Sequence, residues 1–275
     1  MAEDARQRFN AQVFTQVINL DRSADRLATV SGFLQAAGLA YTRLSAVEGR
    51  KLNMDEPKMR RLVDVKKWMR RHHRNPTPAD IGCYLSHYYA IQAFLAQDKP
   101  FGLIFEDDAA FGPDFIAFVD HALNDPNEWD ILKLHARHPG PMVTRRDYGD
   151  GVKLCSFVAR HAGTTCYMIN RCAGERMAKH LMPAARMIDW ACDQGHLMHL
   201  RVRTLTPMIV GLQAVETTRD TGVSRKRSWI EKQTDRPILP RWQLPFRRVW
   251  DEVHRISYTL FADGGLAAML FGPKR

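Results

Sequence analysis

The sequence predicts an α/β fold, a mostly parallel sheet flanked by helices, and three observations carry that reading. Short apolar runs alternate along the chain with segments whose apolar residues recur every three or four positions. Capping residues, prolines and glycines sit at the joints between these segments. The composition, 45% hydrophobic and 25% charged over 275 residues, is that of a folded protein with a sizeable core, which excludes disordered, collagenous and disulfide-scaffold classes. Strands and helices that alternate in this way belong to a sheet covered by helices.

The first element is Val13 to Leu20, a largely apolar run that reads as a buried strand. A polar link, Asp21-Arg22-Ser23, follows. Ser23 stands in the N-cap position of a helix with apolar positions Leu27, Val30, Phe33 and Leu34 and a stop near Gly38. Tyr41 to Val47 predicts a second strand, and Met54 to Arg74 a basic surface helix. Thr77-Pro78-Ala79-Asp80 combines an N-cap hydroxyl, a first-turn proline and an acid at N3, and opens a helix carrying Ile81, Leu85, Tyr88, Ile91 and Leu95. Phe101 to Phe105 is an apolar strand that exits into Glu106-Asp107-Asp108. A helix opens at Gly112-Pro113, and Asp130 to Leu134 reads as a strand.

Farther on, strands are expected at Val152–Val158, Thr165–Ile169 and Arg201–Leu205, with helices from about Arg171 to Leu181 and after Asp189. One domain over residues 11–217 follows, with a basic, partly helical tail over 218–275. Residues 218–245 are polar and aperiodic, after which Phe246, Val249, Trp250, Val253, Ile256, Leu260 and Phe261 trace one helical face.

The net charge of +10 is concentrated. Residues 50–74 hold ten Lys/Arg against Asp55, Glu56 and Asp64, and residues 219–255 hold ten against five acids, so two basic tracts sit on a near-neutral body. Such tracts attract phosphate, whether of a membrane, a nucleic acid or a small ligand. The five cysteines are odd in number and form no C-x-x-C pair, which argues for reduced thiols and against a structural zinc site. There is no apolar stretch of membrane-spanning length and no apolar N-terminal region of the secretory kind, so a cytoplasmic location is expected.

The densest chemistry is Glu106-Asp107-Asp108. A strand that ends in three carboxylates delivers them to the edge of an α/β sheet where ligands bind. Their mutual repulsion calls for a neutralising cation, and Mg²⁺ or Mn²⁺ shared with a diphosphate would serve; a solvated turn before the next helix is the plain alternative. At the first strand-to-helix turn, Arg22 and Arg26 lie by a helix N-terminus, which favours anions, but the glycines of a dinucleotide fingerprint are missing. Ser86 and His87 are neighbours within a helix, so they diverge by about 100° and form no hydrolase dyad.

In order, Asn19-Leu-x-Arg-Ser-x-Asp-Arg26, Ile81-Gly-Cys-x-Leu-Ser-His87 and Leu103-Ile-x-Glu-Asp-Asp108 form a combination that resembles the family 25 glycosyltransferases, the lipopolysaccharide glycosyltransferases that also include collagen galactosyltransferase domains. Gly163-Thr-Thr-Cys-Tyr-Met-Ile169 and Ile188-Asp-Trp190 resemble two further family segments, with Cys166 in place of the usual glycine. The likeness covers roughly residues 13–217. It implies a GT-A-like fold, a UDP-sugar donor (UDP-galactose or UDP-glucose), a divalent Mn²⁺ or Mg²⁺ ion, and inverting transfer to a glycan such as a lipopolysaccharide. Carried over by position, Asp107 and Asp108 would hold the metal, and Glu106 would approach the ribose or the metal's waters. Arg22 and Arg26 would lie near the diphosphate, Asn19 near the nucleotide, and Ser86 and His87 in the donor pocket. An inverting displacement also needs a base for the acceptor hydroxyl. Asp189, flanked by Ile188 and Trp190, is the candidate; Asp193 competes, and Asp189 also suits an N-cap.

A basic nucleic-acid-binding protein is the rival class, but no binding motif accompanies the charge, so nucleic acid is not expected as a partner. A family member that binds glycan without catalysis is a third reading. The tail helix either packs its stripe on the domain or lies on an anionic inner leaflet near a lipid-linked acceptor, with residues 241–261 and 58–74 as contacts.

Overall fold

The computed structural model describes residues 2–213 and 243–273. Helix α1 (Ala2–Gln12), which the sequence pattern does not announce, leads into β1 (Val13–Asn19), α2 (Ala24–Ala37) and β2 (Thr42–Ser45). Two short helices, α3 (Pro57–Leu62) and α4 (Val65–His72), precede the long α5 (Pro78–Leu95). Next come β3 (Phe101–Glu106), β4 (Ala109–Ala110), α6 (Phe115–Leu123), β5 (Ile131–Lys133) and the hairpin β6 (Met142–Gly149)–β7 (Val152–Phe157). β8 (Cys166–Asn170), α7 (Arg171–His180), α8 (Ile188–Cys192), α9 (Gly195–Met198), β9 (Val202–Thr206) and β10 (Gly211–Leu212) follow. The described tail is α10 (Gln243–Ser257), a π turn (Tyr258–Ala262) and α11 (Gly265–Phe271).

The fold is α/β, as the sequence predicts. Eight strands form one sheet in the order β2-β1-β3-β8-β5-β9-β7-β6. β2, β1 and β3 run parallel, as do β5 and β9, whereas β8 opposes β3 and β5, and β7 opposes β9 and β6. Only β8 and β7 therefore run against the common direction. Helices cover both faces. Ile104 and Tyr167 pack with Trp68, Tyr84, Ile91 and Met177 on one side, while Leu103 and Phe105 pack with Phe9, Val30 and Phe115 on the other. Because both faces are buried, β3 has to be apolar at successive positions, which is the physical reason for its unbroken run.

The Thr77–Asp80 capping box forms as expected, and Gly38 ends α2 in the left-handed conformation. Ser23, in contrast, makes no side-chain cap; its carbonyl accepts from Leu27 N–H and its amide bonds Leu20. The single basic helix expected over 54–74 is two helices. The chain breaks at Val63, which bridges to Ala184, and Asp64 caps α4 through Lys67 N–H at 2.9 Å. Nor is this segment only surface: Met59, Val65 and Trp68 are buried beneath the exposed Lys58, Lys66, Lys67 and Arg70. Charges on the outer face hid the buried stripe. β6 escapes sequence reading because it is a charged, half-buried edge strand without clean alternation.

The tail helix exists, with its apolar stripe divided: Ile256 and Leu260 are half-buried. Val249, Trp250 and Val253 face solvent, and Arg255 and Thr259 are buried. Asp263 fastens the tail by two bonds from Arg203, at 2.5 and 2.7 Å. Most of the aperiodic stretch, the 217/218 boundary, Arg241 and Trp242 fall outside the described residues, as do the side chains of Phe246, Arg247 and Arg248. Among the described residues, no helix is long and apolar enough to cross a membrane.

His72, at the end of α4, joins that helix to the segment around residue 189. Its ring lies between Trp68 and Trp190, with centroids at 4.9 and 4.4 Å, and its Nε2 accepts from Met187 N–H at 3.0 Å. Burial, aided by Arg74, Arg186 and Arg71, pushes its pKa down to about 4. The unfolded chain then binds more protons between pH 6.5 and 4, so His72 withdraws stability as the pH falls through that window. Discounted for solvent screening to about 1 kcal/mol, this corresponds to about 2–4 °C in Tm. Thermal melts of His72→Gln should show a Tm–pH curve flatter by about that amount, since glutamine keeps an acceptor for Met187 but does not titrate.

Candidate active site

Parallel pairing of β1 with β3 sets Ile18 opposite Glu106, so the next residues, Asn19 and Asp107, meet at the carboxyl edge of the sheet. Asn19 Nδ2 donates to Asp107 Oδ2 at 2.8 Å and also to Ser23 C=O, while its Oδ1 accepts from Arg43 Nε at 3.0 Å. Arg26, from the first turn of α2, closes on Asp107 Oδ1 at 2.9 Å and on Asp108 Oδ2 at 3.5 Å. Glu106 turns the other way, accepting from Thr164 Oγ1 at 2.6 Å and lying 3.3 Å from His87 Nε2.

The repulsion expected among the three acids is thus partly answered from within the chain, by Arg26. Burial raises the Asp107 carboxyl above the usual range, against the pull of Asn19 and Arg26. Burial and the nearby Glu106 push Asp108 up to about 6.

The remaining segments meet this edge through β8 and α8. Glu106 N–H donates to Thr165 C=O at 2.8 Å, which docks the Gly163-Thr-Thr segment against the acids. Cys166, where the resemblance expects glycine, is a buried strand residue paired with Phe105. Lys133, fully buried at the end of β5, donates to Gly163 C=O and lies 3.2 Å from Asp193 Oδ1. Asp193 also meets His161 Nε2 at 2.9 Å and accepts from Ala162 N–H at 2.7 Å. Burial opposes its ionisation, but His161, Lys133 and the amide outweigh burial and hold Asp193 far below the carboxylate range.

Asp189 differs in kind. It is only partly buried, and its Oδ1 accepts from Trp190 N–H at 2.8 Å. Burial, and then the charge of Asp193, raise its pKa. A carboxylate with raised basicity can take up a proton, and one saturated like Asp193 cannot. Trp190 is held by His72 on one contact and by the Arg160 guanidinium 3.9 Å from its ring on another. Asp189 lies within the first turn of α8, whose N-cap residue is Met187, so Asp189 is not itself the cap.

Other sequence-derived residues lie deeper or are engaged elsewhere. Ser86 is buried, accepting from Val47 N–H at 2.8 Å and donating to Gly82 C=O. His87 is buried behind Glu106, its Nδ1 3.2 Å from the Tyr167 hydroxyl. Arg22 pairs with Glu48 at 2.5 Å. Lys133, His161, Thr164, His72 and Arg160 belong to the site, yet sequence reading does not single them out. A lysine ending an apolar strand was the one available signal for Lys133.

For a divalent ion, the two expected ligands Asp107 and Asp108 differ in how their oxygens are engaged. Each oxygen of Asp107 already accepts one hydrogen bond, whereas the buried Oδ1 of Asp108 has no hydrogen-bond partner. Among the described residues no group of three or more His, Cys, Asp or Glu is arranged to hold a metal. An orphaned carboxylate oxygen beside Glu106 fits a cation whose remaining ligands come from a diphosphate and water.

The family pattern described as Glycosyltransferase family 25 (LPS biosynthesis protein) matches residues 12–194. A "Glycosyltransferase 25 family member" of Aedes aegypti is 31% identical over 120 residues, covering 42% of this chain and 20% of the relative. One of Drosophila pseudoobscura pseudoobscura is 33% identical over 122 residues, covering 42% and 19%. The human "Inactive glycosyltransferase 25 family member 3" is 26% identical over 179 residues, covering 62% and 29%. The chain thus spans about a fifth of the two insect relatives.

The buried Lys133–Asp193 contact yields a stability prediction. Lys133→Met leaves Asp193 with His161 and main-chain donors alone, and should cost about 3 kcal/mol, or about 6–12 °C in Tm, in thermal melts.

Proposed function

The chain belongs to glycosyltransferase family 25, and from that premise we propose that it moves a hexose, galactose or glucose, from a UDP-sugar to a glycan acceptor with inversion. The observation that carries the proposal is the convergence of Asn19, Arg26, Glu106, Asp107 and Asp108 at the carboxyl ends of β1 and β3.

In this reading Asp108, with its partnerless oxygen, is the residue that holds a Mn²⁺ or Mg²⁺ ion. Such an ion supplies charge neutralisation for a leaving diphosphate. Asn19 and Arg26 fix Asp107 and so keep the acidic turn in place. Glu106 is oriented by Thr164 and His87. Asp189 accepts the proton of the acceptor hydroxyl as that oxygen bonds to the anomeric carbon. The bond from that carbon to the diphosphate oxygen breaks on the opposite face, and UDP departs with the electron pair. The acceptor class is a lipopolysaccharide or another cell-surface saccharide, lipid-linked and reached from the cytoplasmic side.

The test is a screen of UDP-, GDP- and CMP-sugars for hydrolysis and transfer, with Mn²⁺ or with a chelator. Turnover of a UDP-hexose that needs the ion supports the reading. UDP binding without turnover of any donor would place the chain with the relative named inactive, and preference for another nucleotide would overturn the UDP assignment. Asp108→Asn should reduce transfer to near background while leaving the melt intact; substantial activity in Mn²⁺ buffer would remove Asp108 from the metal role.

Asp189→Asn should lower kcat at least about a hundredfold with donor affinity nearly unchanged, because a general base contributes on that order. Titration calorimetry with UDP beside steady-state kinetics separates the two quantities. If Asp189→Asn is nearly silent, the base lies elsewhere.

A further inference from the structure

An amphipathic helix on a globular domain ordinarily turns its apolar stripe inward and its charges to water. α10 and the segment after it depart from that: Ile256 and Leu260 are only half-buried, and two polar residues take buried places. Arg255 and Thr259 are each 6% exposed, and Thr259 Oγ1 donates to Phe157 C=O at 3.3 Å. The cleft they close over is mixed, with His161, Asp193, His196 and Asp263 beside Phe157 and Leu200. Outside, Trp250 is 72% exposed and Phe261 69%, with Val249 and Val253 sharing the helical face of Trp250. Leu266, Met269 and Leu270 continue the exposed series through α11. Among the described residues, ten large hydrophobic side chains are exposed, and seven of them fall between 249 and 270. That concentration is unlike the scattered apolar exposure of an ordinary surface, and marks an interaction face.

The basic tract lies beside it. Arg71 of α4 and Asp251 and Arg255 of α10 are all within electrostatic reach of the Arg186 side chain, which brings the two helices to one side of the molecule. α3 and α4 present Lys58, Arg60, Arg61, Lys66, Lys67 and Arg70 to solvent.

We propose that this face, α10 through α11 with the basic α3–α4 tract at its side, docks on an anionic lipid surface. Both halves fit that occupant: Trp250, Phe261 and Leu270 suit insertion at the boundary between headgroups and acyl chains, and the lysines and arginines meet lipid phosphates. A second copy of the chain fits poorly, because a twofold interface sets each patch against itself and would bring the two basic tracts together. The inference does not depend on the donor, the metal or the base, and would hold for a chain without transferase activity.

The experiment is co-sedimentation of the full chain at low salt with phosphatidylcholine vesicles, and with vesicles containing roughly one third phosphatidylglycerol. The wild type should sediment with the anionic vesicles and stay in solution with the neutral ones. Trp250→Glu/Phe261→Glu and, separately, Lys66→Glu/Arg70→Glu should each weaken partition at least about tenfold, with melting curves near wild type. Trp250→Ser, measured alongside, should weaken partition in the same direction and serves if the double glutamate variant does not fold. The proposal is overturned if the wild type ignores anionic vesicles, or if the apolar variants bind as wild type does. It is equally overturned if sedimentation equilibrium shows a dimer that Trp250→Glu/Phe261→Glu dissociates.

Discussion

Three consecutive carboxylates at the end of a buried strand are the electrostatic constraint on which the site depends. Strand β3 cannot deliver Glu106, Asp107 and Asp108 to a partly desolvated edge unless other groups answer their charge. The chain answers in two directions. Asn19 and Arg26 come from β1 and α2 to hold Asp107, while Thr164 and His87 come from β8 and α5 to hold Glu106. Asp108, between them, keeps an oxygen without a partner. The division follows from geometry: residues alternate along the exit from a strand, so successive carboxylates meet different neighbours.

A second buried charge organises the other half of the site. Lys133 lies in the core, where an amine is tolerated only if its donors are used, and Asp193, together with Gly163 C=O, uses them. The pair ties β5, the Gly163 turn and α8 together. It also makes Asp193 and Asp189, four residues apart, chemically unlike: one is ionised and saturated, the other partly exposed with raised basicity. Two acids in one short segment are thereby set apart: Asp193 is tied into the structure, and Asp189 keeps the basicity that the proposed proton acceptor needs.

The tail shows the same economy of polar contacts. Arg203, buried on β9, places both terminal guanidinium nitrogens on Asp263, and that contact orients the turn between α10 and α11. With Arg255 and Thr259 turned to the domain, Val249, Trp250 and Val253 face outward.

By itself the sequence determined the strand–helix alternation, the capping box at Thr77 and Asp80, the acidic exit of β3 and the family resemblance, because each is written in residues close together along the chain. Local pattern reads periodicity and caps well, since both arise from neighbours within a few positions. It could not reveal that Arg26 is the counter-ion of Asp107, that Ser86 is spent on Val47, or that Lys133 holds Asp193. Each of those contacts joins residues dozens of positions apart and exists only once strands pair. The tail gives the sharpest contrast. Periodicity placed apolar residues on one face of α10, but which residues turn inward depends on what lies beneath them: Arg255 is buried against the domain while Trp250 is left outside, and Arg203 finds its carboxylate only at Asp263, beyond the helix.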